Sequence, residues 1–111
     1  MEQDVFMALR GDLGDTLLAK LLGRSASSVR LYSNGRRPVP PLIARRLEWV
    51  ARLAFSLAGG YNPIGMRAWF DRPRVELGRR SPLAVLGHDW QPSDSAAADV
   101  EMLAATLRGP G

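Results

Sequence analysis

Few side chains in this sequence are equipped to make or break bonds. His88 is the sole histidine and cysteine is absent, which removes a thiol nucleophile, a thiolate metal site and a disulfide framework. Metal sites draw on clusters of histidine, cysteine and carboxylate. His88 stands beside Asp89 alone and reads as a solvated loop residue or a helix cap. No serine has a second histidine-bearing motif to activate it, and the glycines form no phosphate-cradling loop. The carboxylates fall mostly at helix starts, where they favour the macrodipole. No enzymatic activity, cofactor or metal is expected.

Arginine is the chemistry the chain does have. Fourteen of its 15 basic residues are arginine. From Arg24 to Arg80, twelve arginines face only Glu48, Asp71 and Glu76, a balance of +9. Residues 1–23 carry −2 and residues 81–111 carry −3. A basic centre between acidic ends implies a polyanion or an acidic protein as partner for the middle of the chain. Part of the excess also serves as solubilising surface.

The elements that must position these arginines are helices. At 111 residues the chain holds one compact domain or two very small ones sharing a core. Hydrophobic content of 46% and a mean hydropathy of −0.11 are those of a globular, soluble protein. The longest apolar stretch, LIARRLEWVARLAFSLAGG, is broken by arginines and falls short of the roughly 20 apolar residues a membrane span needs. The acidic start MEQDVF lacks the features of a signal peptide, so a cytoplasmic location is expected.

No repeat is visible and strand alternation is weak, but helix punctuation is strong. Asp15 is placed to cap TLLAKLL, with Gly23 behind it. Ser25 is placed to cap ASSVRLYSN, closed by Gly35. Pro41 opens the longest segment, in which Ile43, Leu47, Val50, Ala54 and Leu57 follow a helical period. Asn62-Pro63 starts a short helix with Met66, Trp69 and Phe70 on one side, and Ser81-Pro82 starts another, LAVLGH. A cap among Ser93, Asp94 and Ser95 opens a last helix carrying Val100, Leu103 and Leu107 in line. The expected fold is all-α, with six or seven helices.

Residues 15–34 fit the helix-turn-helix frame. Leu18 and Ala19 occupy the positions where a small residue lets two helices cross, Gly23 makes the turn, and Val29 with Tyr32 pack the second helix onto the first. Arg24 departs from the frame, which usually has an apolar residue there. The second helix of such a motif lies in the major groove of DNA. It would present Ser27, Ser28 and Arg30 there, with Ser25 as cap; Arg30 is the one side chain among them able to hold guanine bidentately. Arg36 and Arg37 suit phosphate contact, which supplies affinity and salt dependence rather than sequence information. The same helix pair also occurs as a plain packing unit. A single copy implies a homodimer reading two half-sites. Leu42, Trp49 and Leu53 form a second apolar stripe on the long helix that would serve such a dimer, unless it packs inside its own chain.

The segment RAWFDRPRVELGRRSPLAVLG then follows. Trp69 and Phe70 read as core, Gly78 as a turn a bulkier residue would strain, and Ser81-Pro82 as a helix start. The order Trp69-Phe70, Leu77-Gly78, Ser81-Pro82-Leu83 with Leu86 resembles the C-terminal domain of the Xre/MbcA/ParS antitoxins. The resemblance continues through Val100, Leu103 and Leu107 to Gly109, and the upstream helix-turn-helix is that family's usual companion. Arg74 stands where the family often has asparagine.

The resemblance implies a helix-turn-helix region over residues 1–60 and a toxin-binding region over residues 61–111, joined by a shared long central helix. It implies an antitoxin whose partner is a RES-domain toxin, a NAD-consuming enzyme, with the C-terminal region obstructing the entrance to the NAD pocket. The DNA-binding half would repress the shared operon. The expected toxin-binding residues are Trp69, Phe70, Arg72, Arg74, Leu77, Gly78, Arg79, Arg80, Ser81, Pro82 and Leu83, with the chain end Arg108, Gly109, Pro110 and Gly111. Two other readings remain: a stand-alone helix-turn-helix regulator whose C-terminal half serves dimerisation, and a structural adaptor that never meets DNA.

Overall fold

The computed structural model describes residues 2–106. It begins with a helix where capping signals predict none: α1 spans Glu2–Leu22. Phe6, Leu9 and Leu13 recur on one face and all three are buried, so the helical period was present ahead of Asp15. Gly14 interrupts the element with φ 80° and ψ 158°. The break orphans carbonyls of the preceding turn, and Arg67 donates to two of them, Asp12 O at 3.2 Å and Gly11 O at 3.1 Å. The capping role expected of Asp15 is corrected. Its carboxylate accepts from Arg10 Nε at 2.7 Å instead, and the backbone break at Gly14 sets where the second half of α1 starts.

The next two helices, α2 (Ala26–Ser33) and α3 (Pro41–Leu57), lie close to where their punctuation places them. α1 ends in a Schellman motif, with Arg24 N bonding Ala19 O and Gly23 N bonding Lys20 O. α2 ends the same way, through Arg36 N to Leu31 O and Gly35 N to Tyr32 O. Both motifs need a left-handed residue, supplied by Gly23 at φ 71° and Gly35 at φ 77°. Ser25 caps α2 by accepting from Ser28 N at 3.1 Å.

Along α3, Ile43, Leu47, Val50, Ala54 and Leu57 are buried as the period requires. Of the second stripe, Trp49 and Leu53 are buried within their own chain and Leu42 is half-buried, so packing inside the chain accounts for most of it. Trp49 packs on Trp90, with ring centroids 4.6 Å apart.

Beyond Gly59-Gly60 the elements shorten. They are α4 (Pro63–Asp71), a 3-10 turn over Val75–Leu77, α5 (Pro82–Leu86) and α6 (Ser95–Ala105). Six α-helices and no strand occur among the described residues. The last helix expected from the sequence reached Leu107, which lies outside them. α1 packs against α2, α3 and α4, while α3 also packs against α6. Core side chains from Phe6 to Ala104 form one cluster, so both ends of the chain share a single interior.

Candidate functional site

The residues expected to face DNA gather at the start of α2 and just beyond its end. Ser25, Ser27, Arg30, Arg36 and Arg37 are exposed and Ser28 is half-buried. All but Arg36 bond within the group: Ser25 Oγ donates to Ser28 Oγ at 3.1 Å, Arg37 donates to Ser28 Oγ at 2.8 Å and Arg30 donates to Ser27 Oγ at 3.2 Å. Arg30 also stands 3.6 Å from the Asp15 carboxylate. The side chain suited to a bidentate guanine contact is therefore already engaged. It must leave Asp15 and Ser27 before it can present its full fork to a base.

Asp15 is the hub of that arrangement. The hydrogen bond from Arg10, aided by Arg30, holds its carboxyl below the usual carboxylate range. The same bond raises the pKa of the Arg10 guanidinium. Arg10 further donates to Ser33 Oγ at 3.2 Å, tying α1 to the end of α2.

The residues expected to bind a toxin, from Trp69 to Leu83, occupy the corner formed by α4, the 3-10 turn and α5. Trp69, Phe70, Leu77 and Pro82 are buried and Leu83 is half-buried. Trp69 and Phe70 meet edge-to-face at 5.2 Å. Of the remaining expected residues, Arg72, Gly78, Arg79 and Arg80 are exposed, while Arg74 and Ser81 are half-buried. Ser81 caps α5 by accepting from Ala84 N at 3.1 Å, and Gly78 adopts φ 66°. Arg108, Gly109, Pro110 and Gly111 lie outside the described residues.

Sequence reasoning missed a third cluster, which ties the end of α1 to α3 and to Trp90. Arg46 is 3% exposed and has no carboxylate partner among the described residues. Its guanidinium donates to Trp90 O at 2.9 and 2.6 Å and to Leu22 O at 2.8 Å. Trp90 Nε1 donates in turn to Leu21 O at 2.8 Å. The cation thus sits where the last carbonyls of α1 converge and favours their dipole. Burial first, then Arg24 nearby, lowers its pKa, with Asp89 and Asp94 acting the other way. A Cβ on Gly23 would lie 2.8 Å from Arg46 Nη1, so the turn glycine and this arginine fit against each other. The signal was in the sequence: Arg46 stands three residues after Ile43 and four before Val50, on the buried face of α3.

No set of three or more histidine, cysteine or carboxylate side chains close enough to hold a metal occurs among the described residues. No helix among them is long and apolar enough to cross a membrane. Compared with known protein families, curated proteins and solved structures, the chain matches none.

Proposed function

We propose that the chain is the antitoxin of a type II toxin–antitoxin pair. Its C-terminal half binds a RES-domain toxin and occludes the NAD pocket, and α2 carries a DNA contact that represses the operon. The observation that carries the reading is the conformation of the antitoxin-like segment. Each part of that string has a physical role there. Trp69 and Phe70 fill the core, Gly78 turns left-handed and Ser81-Pro82 starts α5. The string is therefore a structural unit, and it leaves Arg72, Arg79 and Arg80 at the surface. Occlusion needs only such a unit packed against the pocket mouth, with no chemistry from this chain.

The DNA contact draws support from the Schellman turn at Gly23, which sets α2 across α1, and from the exposed serines and arginines at its start. The same surface favours the second reading, a stand-alone regulator acting as a homodimer on two half-sites. One experiment separates them. NAD consumption by a RES-type protein encoded beside this gene is measured with and without this chain. Stoichiometric inhibition is the expected result. A toxin that runs at full rate and does not bind the chain would leave the regulator reading in its place.

A further inference from the structure

The loop after α4 carries Arg72, Arg74, Arg79 and Arg80, and none of them makes an ion pair among the described residues. Elsewhere Arg10 and Arg30 share Asp15, and Arg52 bonds Glu48 and Glu101. The loop is nevertheless well fixed. Arg74 N bonds Arg80 O at 3.1 Å, Arg79 N bonds Arg74 O at 2.8 Å, and the Arg80 guanidinium donates to Ala84 O at 2.8 Å. Arg74 lies over the Trp69 ring at 5.5 Å, with Nε and Nη2 buried and without an acceptor.

Arg79 has φ 66°, the one positive φ of a non-glycine residue among those described. An L side chain held there is strained, and glycine or asparagine would largely relieve the strain. Arginine at this loop tip therefore places a cation at the surface at some expense to stability.

We infer that this loop is a carboxylate-recognition site, in which Arg72, Arg79 and Arg80 around the Trp69-braced Arg74 take aspartate or glutamate side chains of an acidic partner surface. The inference rests on reading the C-terminal half as a docking surface and gives that surface its chemistry. Guanidinium forks match carboxylates in geometry and charge. Asp71 and Glu76, exposed and interleaved with the arginines, repel a continuous phosphate backbone. They suit a protein face on which carboxylates alternate with cations.

Hexaglutamate titrated into the full, 15N-labelled chain tests this by backbone amides and arginine Nε–H signals. Saturable, salt-sensitive shifts confined to residues 72–80 are expected. Arg79→Asn should weaken the titration about threefold, in the range of exposed charge contacts, with an unchanged or raised thermal midpoint. Arg72→Gln, at an unstrained backbone position, should weaken it comparably, and Arg45→Ala, exposed on α3, should not. Shifts absent from this loop, wild-type titration by both loop variants, or a stronger response of the same residues to duplex DNA would overturn the inference. Toxin binding is read separately, so failure of the antitoxin reading and failure of this one are distinguishable.

Discussion

The region before Gly59 and the region after it hold their helices by different means. α1 and α3 are long, bury wide apolar faces and close on glycine turns, and α3 has no side-chain cap at all. α4 and α5 have nine and five residues, and each begins with proline behind a capping side chain, Asn62 or Ser81. Charges differ in parallel. In the first region Arg10 and Arg30 meet Asp15, Arg52 meets Glu48 and Glu101, and Arg46 donates to main-chain carbonyls, while the loop from Arg72 to Arg80 leaves four arginines without a carboxylate among the described residues. Long helices draw stability from tertiary burial, whereas short ones depend on their ends. A region built on ends and turns can display charge because little of its stability depends on pairing it.

The largest effect should come from the point where the regions meet. Gly23→Ala forces an L residue to φ 71° and sets its Cβ 2.8 Å from Arg46 Nη1, displacing a buried cation from three carbonyl contacts. The expected loss is about 3–5 kcal/mol, a fall in thermal midpoint of more than about 10 °C. Urea denaturation measures it. A loss below about 1 kcal/mol would mean that the clamp yields easily and that the two regions are less tightly joined than the distances indicate.

Next is the clamp itself. Trp90→Phe keeps the ring that packs on Trp49 but removes the bond to Leu21 O, and should cost about 1–2 kcal/mol. Arg46→Met should cost about 1–3 kcal/mol, since it unpairs Leu22 O and Trp90 O while keeping apolar volume. The double variant should fall short of the sum by at least about 0.5 kcal/mol, because both side chains hold the same end of α1. Strict additivity would show that Arg46 and Trp90 act on separate parts of the fold.

Much of the architecture was legible in the residues, and what was missed has a pattern. Proline behind serine or asparagine marked α4 and α5, and the glycines at 23 and 35 marked both Schellman turns. Those signals are local, so they survive without knowledge of the fold. The start of α1 escaped because no cap announces it, although Phe6, Leu9 and Leu13 kept the period. Arg46 escaped because an arginine on an apolar face is assigned by type to the surface. Its partners are carbonyls of residues 24 and 44 positions away, which no local pattern encodes. The engagement of Arg30 by Asp15 was likewise hidden, since the Gly14 break re-aims that carboxylate away from the helix start.

Cap removal compares the regions directly. Ser81→Ala takes the one side-chain cap from a five-residue helix and should cost about 1–2 kcal/mol. Ser25→Ala takes the equivalent cap from α2, which Val29 and Tyr32 also bury against α1, and should cost about 0.5–1 kcal/mol. Equal losses would remove the distinction between helices held by their ends and helices held by burial.

The smallest effect concerns the pairing of charge. Asp15 has a lowered carboxyl pKa because Arg10 bonds its ionised form. Its contribution is therefore fully present above the unfolded value of about 3.9, and it is lost as pH falls through the lower folded value. Both partners remain 29% exposed, which limits the contribution to less than about 1 kcal/mol. Asp15→Asn should accordingly destabilise slightly at pH 7, with the two urea midpoints converging as pH falls below the unfolded value. Arg79→Asn, in the loop without carboxylate partners, should show no such convergence. If the Asp15→Asn difference persisted unchanged to pH 2, the carboxyl would be acting through packing rather than charge, and the contrast between paired and unpaired arginines would lose its energetic basis.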